Sequence, residues 1–192
     1  ISLPNVSYCK DVKDVHYTPY NLVRFYVVDI TGATPQTVKI YTDSSTSVDV
    51  EVSEGNKWYT YVLPKDKGLF RIEGGSVKNV NVKANININN GYQIIPSSTV
   101  EASFKGSNAS NVTSMSQMFK WCSKLTSLDL SNFNTSNITD MYGMFQYCSG
   151  IKSLDLSNFN TSKVTDMSNM FNYCMNITSL DVSNFNTSKV TN

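Results

Sequence analysis

Carboxylates recur in this sequence at one fixed spacing. Asp129, Asp155 and Asp181 are 26 residues apart, and each lies two residues after a serine, in the order Ser127, Ser153 and Ser179. If the strands that carry them stack about 4.8 Å apart, the three carboxylates repel one another. A cation, or a basic or hydroxyl-rich partner, would relieve that repulsion; the alternative is a solvated acidic face that keeps a sheet soluble. These aspartates and serines form the first candidate binding surface.

Cysteines follow the same spacing. Cys122, Cys148 and Cys174 are also 26 residues apart. Stacked strands would hold them about 4.8 Å apart with parallel side chains, whereas the Cβ atoms of a disulfide lie about 3.8 Å apart. A zinc site would need paired cysteines or histidines, and the only histidine, His16, lies far away in sequence. We therefore expect three buried, reduced thiols and no metal.

Catalytic motifs are not evident. His16 stands beside Tyr17 with no serine or cysteine motif around it, and the sequence contains no H-E-x-x-H, phosphate loop or dinucleotide fingerprint. We predict a protein without catalytic residues and without a cofactor.

Composition narrows the class of partner. The 192 residues carry 16 basic and 15 acidic side chains, and no basic stripe predicts a nucleic-acid partner. No apolar run approaches the roughly 20 residues that cross a bilayer, so we expect no membrane insertion in this segment. The start at Ile1 and the stop at Asn192, in the middle of a repeat, predict a piece of a longer chain.

Apolar residues repeat with the same period and suggest the elements that carry these side chains. Leu128 and Leu130 alternate with polar residues, which predicts a short strand with one buried face. The other half of the unit steps by three and four, which predicts a helix of two to three turns. Its apolar positions in the second repeat are Ile138, Met141, Met144, Phe145, Cys148 and Ile151. Threonines stand where they could cap these helices: Thr113, Thr139, Thr165 and Thr191. Units of one strand and one helix at a fixed period predict a solenoid.

The first part of the chain carries no repeat and is predicted to be β. Strands are expected over 22–30 and 37–41, and a hairpin over 47–52 and 57–63. Such short strands predict a small antiparallel sandwich over residues 1–68. Trp58, Tyr59 and Tyr61 could form a sugar-stacking platform on it, with core packing as the alternative.

The repeat also resembles a known family. The skeleton Leu125-x-x-Leu128-x-Leu130 resembles the leucine-rich repeat, and the stretch NTSKVTDMSNMFNYCMNITSLDVSNF is similar to the repeat of BspA-like bacterial surface proteins. The resemblance implies an α+β protein in which a small antiparallel β-sandwich precedes a leucine-rich-repeat α/β solenoid. The solenoid would span 69–192, with irregular rungs over 69–110 and regular 26-residue repeats over 111–192, truncated at the C-terminal end.

The same resemblance implies a function. We expect a non-enzymatic, extracellular adhesion or ligand-binding module of a bacterial surface protein, with a protein or glycan ligand on a host or cell surface. The alternative is a structural or host-recognition component of a phage tail fibre or other appendage, where the chain would be part of a larger assembly in a virion.

Changing Asp129, Asp155 and Asp181 together to Asn tests the first candidate surface. The variant keeps the side-chain shape and removes three charges, so we expect folding to survive and partner binding to weaken, most strongly at low salt where screening is small. A binding titration at two ionic strengths measures this. Unchanged binding at low ionic strength would move the binding face to the aromatic residues or to the other side of the repeat.

Overall fold

The computed structural model describes residues 22–29, 34–64, 66–74 and 77–192. The expectations about His16 and the N-terminal Cys9 fall outside these residues. Ten strands are present: β1 (Leu22–Asp29), β2 (Gln36–Tyr41), β3 (Ser47–Val52), β4 (Lys57–Val62), β5 (Arg71–Glu73), β6 (Lys78–Asn85), β7 (Thr99–Ser103), β8 (Ser127–Asp129), β9 (Ser153–Leu154) and β10 (Ser179–Leu180).

The strands form three sheets. The largest has the order β4-β1-β6-β7-β8, the second has the order β3-β2-β5, and β9 pairs with β10 in a third. In the largest sheet β1 is antiparallel to β4 and β6, whereas β7 is parallel to β6 and β8. This sheet therefore combines strands from both sides of residue 68, and the domain boundary there stays a prediction.

The predicted hairpin between 47–52 and 57–63 is wrong, although both strands exist. β3 pairs with β2 and β4 pairs with β1, so the chain crosses from one sheet to another between them. The Tyr59 hydroxyl supports this crossing: it accepts the N–H groups of Ser53 and Glu54 at 3.2 and 3.1 Å and donates to the Glu54 carbonyl at 2.9 Å. Pairing with β1 also stacks the Tyr59 ring on Phe25, with centroids 5.5 Å apart. A short polar connection thus did not determine which strand is the partner.

The predicted fold class, a β-sandwich followed by a leucine-rich-repeat α/β solenoid, is also wrong. The described residues contain no helix, and their strands fall into separate sheets instead of one continuous solenoid sheet. The strands expected in the repeats do occur, but they are only two or three residues long. The protein is all-β in its described part, with long stretches of turns.

Backbone hydrogen bonding explains why the helices are absent. We number the repeats as residues 111–136, 137–162 and 163–188. In the second repeat, alternate N–H groups donate to carbonyls of the third repeat, each at 2.9 Å: Met141, Gly143, Phe145 and Tyr147. The N–H groups between them donate three residues back, as Cys148 does to Phe145 at 3.0 Å. An α-helix needs every N–H to bond within its own segment, four residues back, so this pattern builds successive turns instead.

Left-handed residues close these turns. In each repeat two residues four positions apart have φ between 54° and 68°: Gln117 and Trp121, Gly143 and Tyr147, Asn169 and Tyr173. One such residue breaks a right-handed helix, and a four-residue turn returns the chain to the same side. The apolar steps of three and four therefore arise from turns and not from helical rotation.

The threonines that were expected to cap helices link the repeats instead. The N–H and hydroxyl of Thr139 both point to the Thr113 carbonyl, at 2.7 and 3.2 Å, and Thr165 bonds to Thr139 in the same way. Asn158 adds a side-chain link, because its amide donates to the Leu130 and Phe133 carbonyls of the preceding repeat. Side chains and backbone thus both tie each repeat to its neighbour.

The core runs through the repeats as columns of apolar side chains. Phe145 is fully buried, and its ring stacks on Phe119 at 5.7 Å and on Phe171 at 5.6 Å. Met141, Met144 and Cys148 are also fully buried in the second repeat. The residues assigned to the apolar stripe are therefore inside, although no helix carries them.

Replacing Phe145 by Ala should destabilise the fold far more than replacing Asp155 by Asn. Truncating a buried Phe costs about 3–5 kcal/mol, whereas an exposed charge contributes a few tenths of a kcal/mol. A denaturant titration gives the free energy of unfolding for both variants. Equal losses would show that the inward and outward assignments in the repeat are mistaken.

Candidate functional site

The structure divides the predicted column of aspartates and serines between two sheets. Ser153 and Ser179 are register partners in β9 and β10, and Asp155 and Asp181 follow them directly. Ser127 and Asp129 instead belong to β8, at the edge of the five-stranded sheet. Asp155 and Asp181 are exposed, while Asp129 is half-buried. The structure brings two of the three carboxylates side by side and places the third in another sheet.

Each of these carboxylates also has a local structural role. Asp129, Asp155 and Asp181 accept the N–H of the residue two positions later, at 2.9, 3.0 and 2.9 Å. Hydrogen bonds to the serine at that position lower the pKa of all three carboxyls. Such turns are a common use of Asp. The charges are thereby kept, with one oxygen engaged and the other available to a partner.

A second acidic column was not predicted. Asp140 and Asp166 accept the N–H groups of Tyr142 and Ser168 at 2.8 Å in the same kind of turn. The hydroxyl of Ser114, which is 26 residues earlier, donates to the Asp140 carboxylate at 3.0 Å. The regular spacing of carboxylates is therefore a turn-closing device at two places in the repeat.

The three aromatic residues of the proposed sugar platform have different surroundings. Tyr59 is buried against Phe25. Trp58 is half-buried, and two cations lie over its ring, Arg24 at 5.1 Å and Lys83 at 5.2 Å. Tyr61 is half-buried against the core, and burial raises its pKa. Neighbouring strand residues point to opposite faces, so Trp58 is on the other side of β4 from both tyrosines.

The cysteine column is buried and carries free thiols. The Sγ atoms of Cys148 and Cys174 donate to the carbonyls of Phe119 and Phe145, both at 3.0 Å. Burial raises the pKa of Cys122 to about 12 and also raises the pKa values of Cys148 and Cys174. Thiols of this kind are poor nucleophiles and poor metal ligands.

An exposed aromatic column is the feature that sequence reasoning missed. The Trp121 and Tyr147 rings are parallel to within 5° at 3.9 Å, and Tyr147 stacks on Tyr173 at 4.7 Å. Trp121 is 50% exposed and Tyr173 54% exposed. We call these three residues the aromatic ladder. The signal was in the sequence, because adding 26 to 121 gives two further aromatic positions, but the expected helix directed attention to its apolar stripe.

The backbone of the aromatic ladder is left-handed. Trp121, Tyr147 and Tyr173 have φ values of 68°, 63° and 60°. Bulky residues rarely adopt this region, where Gly or Asn fits with less strain. The third repeat has Asn169, and the second Gly143, at the other left-handed position. Large rings at strained, exposed positions point to a use of the rings themselves.

The aromatic ladder ends at a cleft of about 920 Å³. Trp121 forms part of its wall, together with Tyr92, Lys120 and Arg71. The lining also contains Ile95, Pro96, Ser97 and Ser98, from the segment one period before the first repeat's turns. Because Tyr147 lies in the following repeat, the cleft is on the opposite side of Trp121 from its stacking partner. One face of the indole is thus backed by Tyr147 and the other borders the cleft.

A glycine positions the Tyr92 wall of this cleft. A Cβ atom on Gly91 would lie 1.7 Å from the Ser114 carbonyl oxygen, so only Gly allows the two backbones to approach this closely. Asn90 then holds the turn, because its side chain accepts the Tyr92 N–H at 3.1 Å and donates to the Phe70 carbonyl at 3.0 Å. Tyr92 itself remains 51% exposed. The cleft is therefore bordered by two exposed rings on well-anchored backbone.

Metal and membrane features were also sought in the described part of the chain. There, no group of three or more His, Cys, Asp or Glu side chains is placed to hold a metal ion. No helix among the described residues is long and apolar enough to span a bilayer.

Comparison with known proteins gives one match. Residues 86–192 match the protein family described as "Mycoplasma protein of unknown function, DUF285". No curated protein and no solved structure matches the chain. The assignment to the BspA-like leucine-rich repeat surface protein family is wrong, because this family is matched and no leucine-rich repeat family is.

The three repeat cysteines should be reduced, and their reactivity should follow burial. In the native protein at neutral pH we expect Cys174, which is half-buried, to react with a thiol reagent faster than the buried Cys122 and Cys148. Peptide mapping after labelling measures each site. In denaturant without reductant all three should label, and a site that stays unlabelled there would be in a disulfide.

Proposed function

We propose that this chain, which belongs to the protein family described as "Mycoplasma protein of unknown function, DUF285", is a non-enzymatic ligand-binding module that holds a glycan against Trp121. We further propose that it acts outside the cell, as part of a bacterial surface protein. The observation that carries the proposal is the indole of Trp121. It is half exposed, it borders the cleft on one face, and Tyr147 supports its other face at 3.9 Å.

A sugar ring suits this arrangement. Its apolar C–H face packs on an aromatic face, and its hydroxyls need hydrogen-bond partners at the edge. Trp121 supplies the face, and Gln93, Ser98 and Lys120 line the same cleft with polar groups. Ligand sites commonly combine apolar or aromatic walls with a few placed polar groups. The cleft is large enough for a short oligosaccharide.

The aromatic ladder makes Trp121 a rigid platform. Its ring is parallel to Tyr147, and Tyr147 is in turn stacked on Tyr173. A side chain that is already ordered loses little rotamer freedom when a ligand binds. The backbone strain at φ 68° is then explained by the need to place the ring over the edge of the cleft.

Trp121→Ala tests this proposal. We expect the parent to bind at least one neutral oligosaccharide on a glycan array, and the variant to bind it at least about tenfold more weakly, since tenfold corresponds to about 1.4 kcal/mol. Trp58 and Trp121 are the only tryptophans, so titrating the Trp58→Phe protein follows emission from Trp121 alone.

Tyr173→Ala is the matched control. It removes an exposed ring of the same aromatic ladder that does not line the cleft, so affinity should stay within about twofold of the parent. Circular dichroism checks that both variants fold. Failure of the parent to bind any glycan, or equal binding by Trp121→Ala, would refute the proposal.

A further inference from the structure

A second ligand site lies on the five-stranded sheet, away from the aromatic ladder. Strand register aligns two rows of side chains on one face of this sheet. One row consists of Trp58, Tyr26, Asn81, Glu101 and Ser127. The other consists of Thr60, Arg24, Lys83, Ser103 and Asp129. The two surfaces singled out from the sequence, at Trp58 and at Asp129, are thus two ends of the same face.

Two cations stand side by side on this face. Arg24 and Lys83 are register partners in β1 and β6, and both are exposed. Like charges directly opposite in an antiparallel pair disfavour the sheet. The described residues form three ion pairs, and neither Arg24 nor Lys83 takes part in any of them. Positive charge is therefore concentrated here without a carboxylate of the described chain to compensate it.

Aromatic rings hold these cations in place. The Arg24 guanidinium lies 5.1 Å from the Trp58 ring centroid, and the Lys83 ammonium lies 5.2 Å from it. Lys83 reaches across β1 to do so, because β6 and β4 flank that strand. Tyr26 packs beside the indole at 5.3 Å. Cation–π contacts order both heads at one place, and an anion between them would meet two prepositioned donors.

Acceptors follow on the next strands. Glu101 and Asp129 lie in β7 and β8, so Asp129 is two strands, or about 10 Å, from Lys83. Their hydrogen bonds within the sheet are long, 3.4 Å from Asn81 and 3.4 Å from Ser103. Asn81 Oδ1 has no hydrogen-bond partner among the described residues. Acceptor capacity for hydroxyl groups is thus available beside the cation pair.

We infer that this face binds an acidic oligosaccharide that carries one isolated carboxylate. The carboxylate would bridge Arg24 and Lys83, and the hydroxyls of the adjoining sugar would donate to Glu101 and Asp129. A dense polyanion fits poorly, because its next charges would meet those two carboxylates. The site is independent of the cleft at Trp121.

The test uses a Trp121→Ala protein, which disables the cleft and leaves Trp58 as the only tryptophan. A sialylated trisaccharide is titrated while Trp58 emission is followed. We expect a saturable change that weakens as ionic strength rises, and no change with the same sugar lacking its sialic acid. Because the cleft is absent from this protein, the outcome does not depend on the proposal for Trp121.

Two charge variants in that background complete the test. Arg24→Gln with Lys83→Gln should weaken binding at least tenfold. Lys152→Gln with Lys189→Gln removes the same charge from two exposed positions elsewhere and should leave binding within about twofold. Equal binding of the neutral sugar, equal loss in both double variants, or tighter binding of heparin than of the sialylated sugar would overturn the inference.

Discussion

The repeats depend on the division of backbone N–H groups between two kinds of partner. Alternate groups bond within a turn, and the others bond to the neighbouring repeat, as Phe145 does to Met170 at 2.9 Å. Buried backbone donors need partners, so no repeat can satisfy its backbone alone. The buried phenylalanine column and the threonine bonds are consequences of the same arrangement, because a bond between repeats also fixes the side chains above one another. The chain of bonds extends beyond the repeats, from Met118 through Ile94 to Ile72 in β5.

Periodicity allowed the columns to be predicted but not the backbone that carries them. The burial of Met141, Phe145 and Cys148 was correctly inferred from their spacing. A helix and a series of four-residue turns both return the chain to the same side after three or four residues, so the spacing could not separate them. The distinguishing information was the left-handed backbone at Gly143 and Tyr147. Gly indicates that conformation in a sequence, whereas Tyr does not.

Strand partners were similarly beyond the sequence pattern. The strands around residues 50 and 60 are present, and the polar residues between them suggested a hairpin. Burial of the Tyr59 ring against Phe25, with its hydroxyl satisfied by the crossing backbone, favours a different pairing. The candidate surfaces show the same limit. Trp58 and Asp129 were found separately, and only the register of five strands places them on one face, while Trp121 was overlooked because its neighbours were assigned to a helix.

The dependence of each repeat on its neighbour restricts how the length of this chain can vary. Inserting or deleting one residue inside a repeat would shift every later N–H onto the wrong carbonyl and rotate apolar side chains out of their columns. Removing 26 residues joins the second half of one repeat to the second half of its neighbour's predecessor in the correct phase, and it restores the same kinds of contact. The number of repeats can therefore change by recombination between copies without a new packing problem, while their internal length stays fixed.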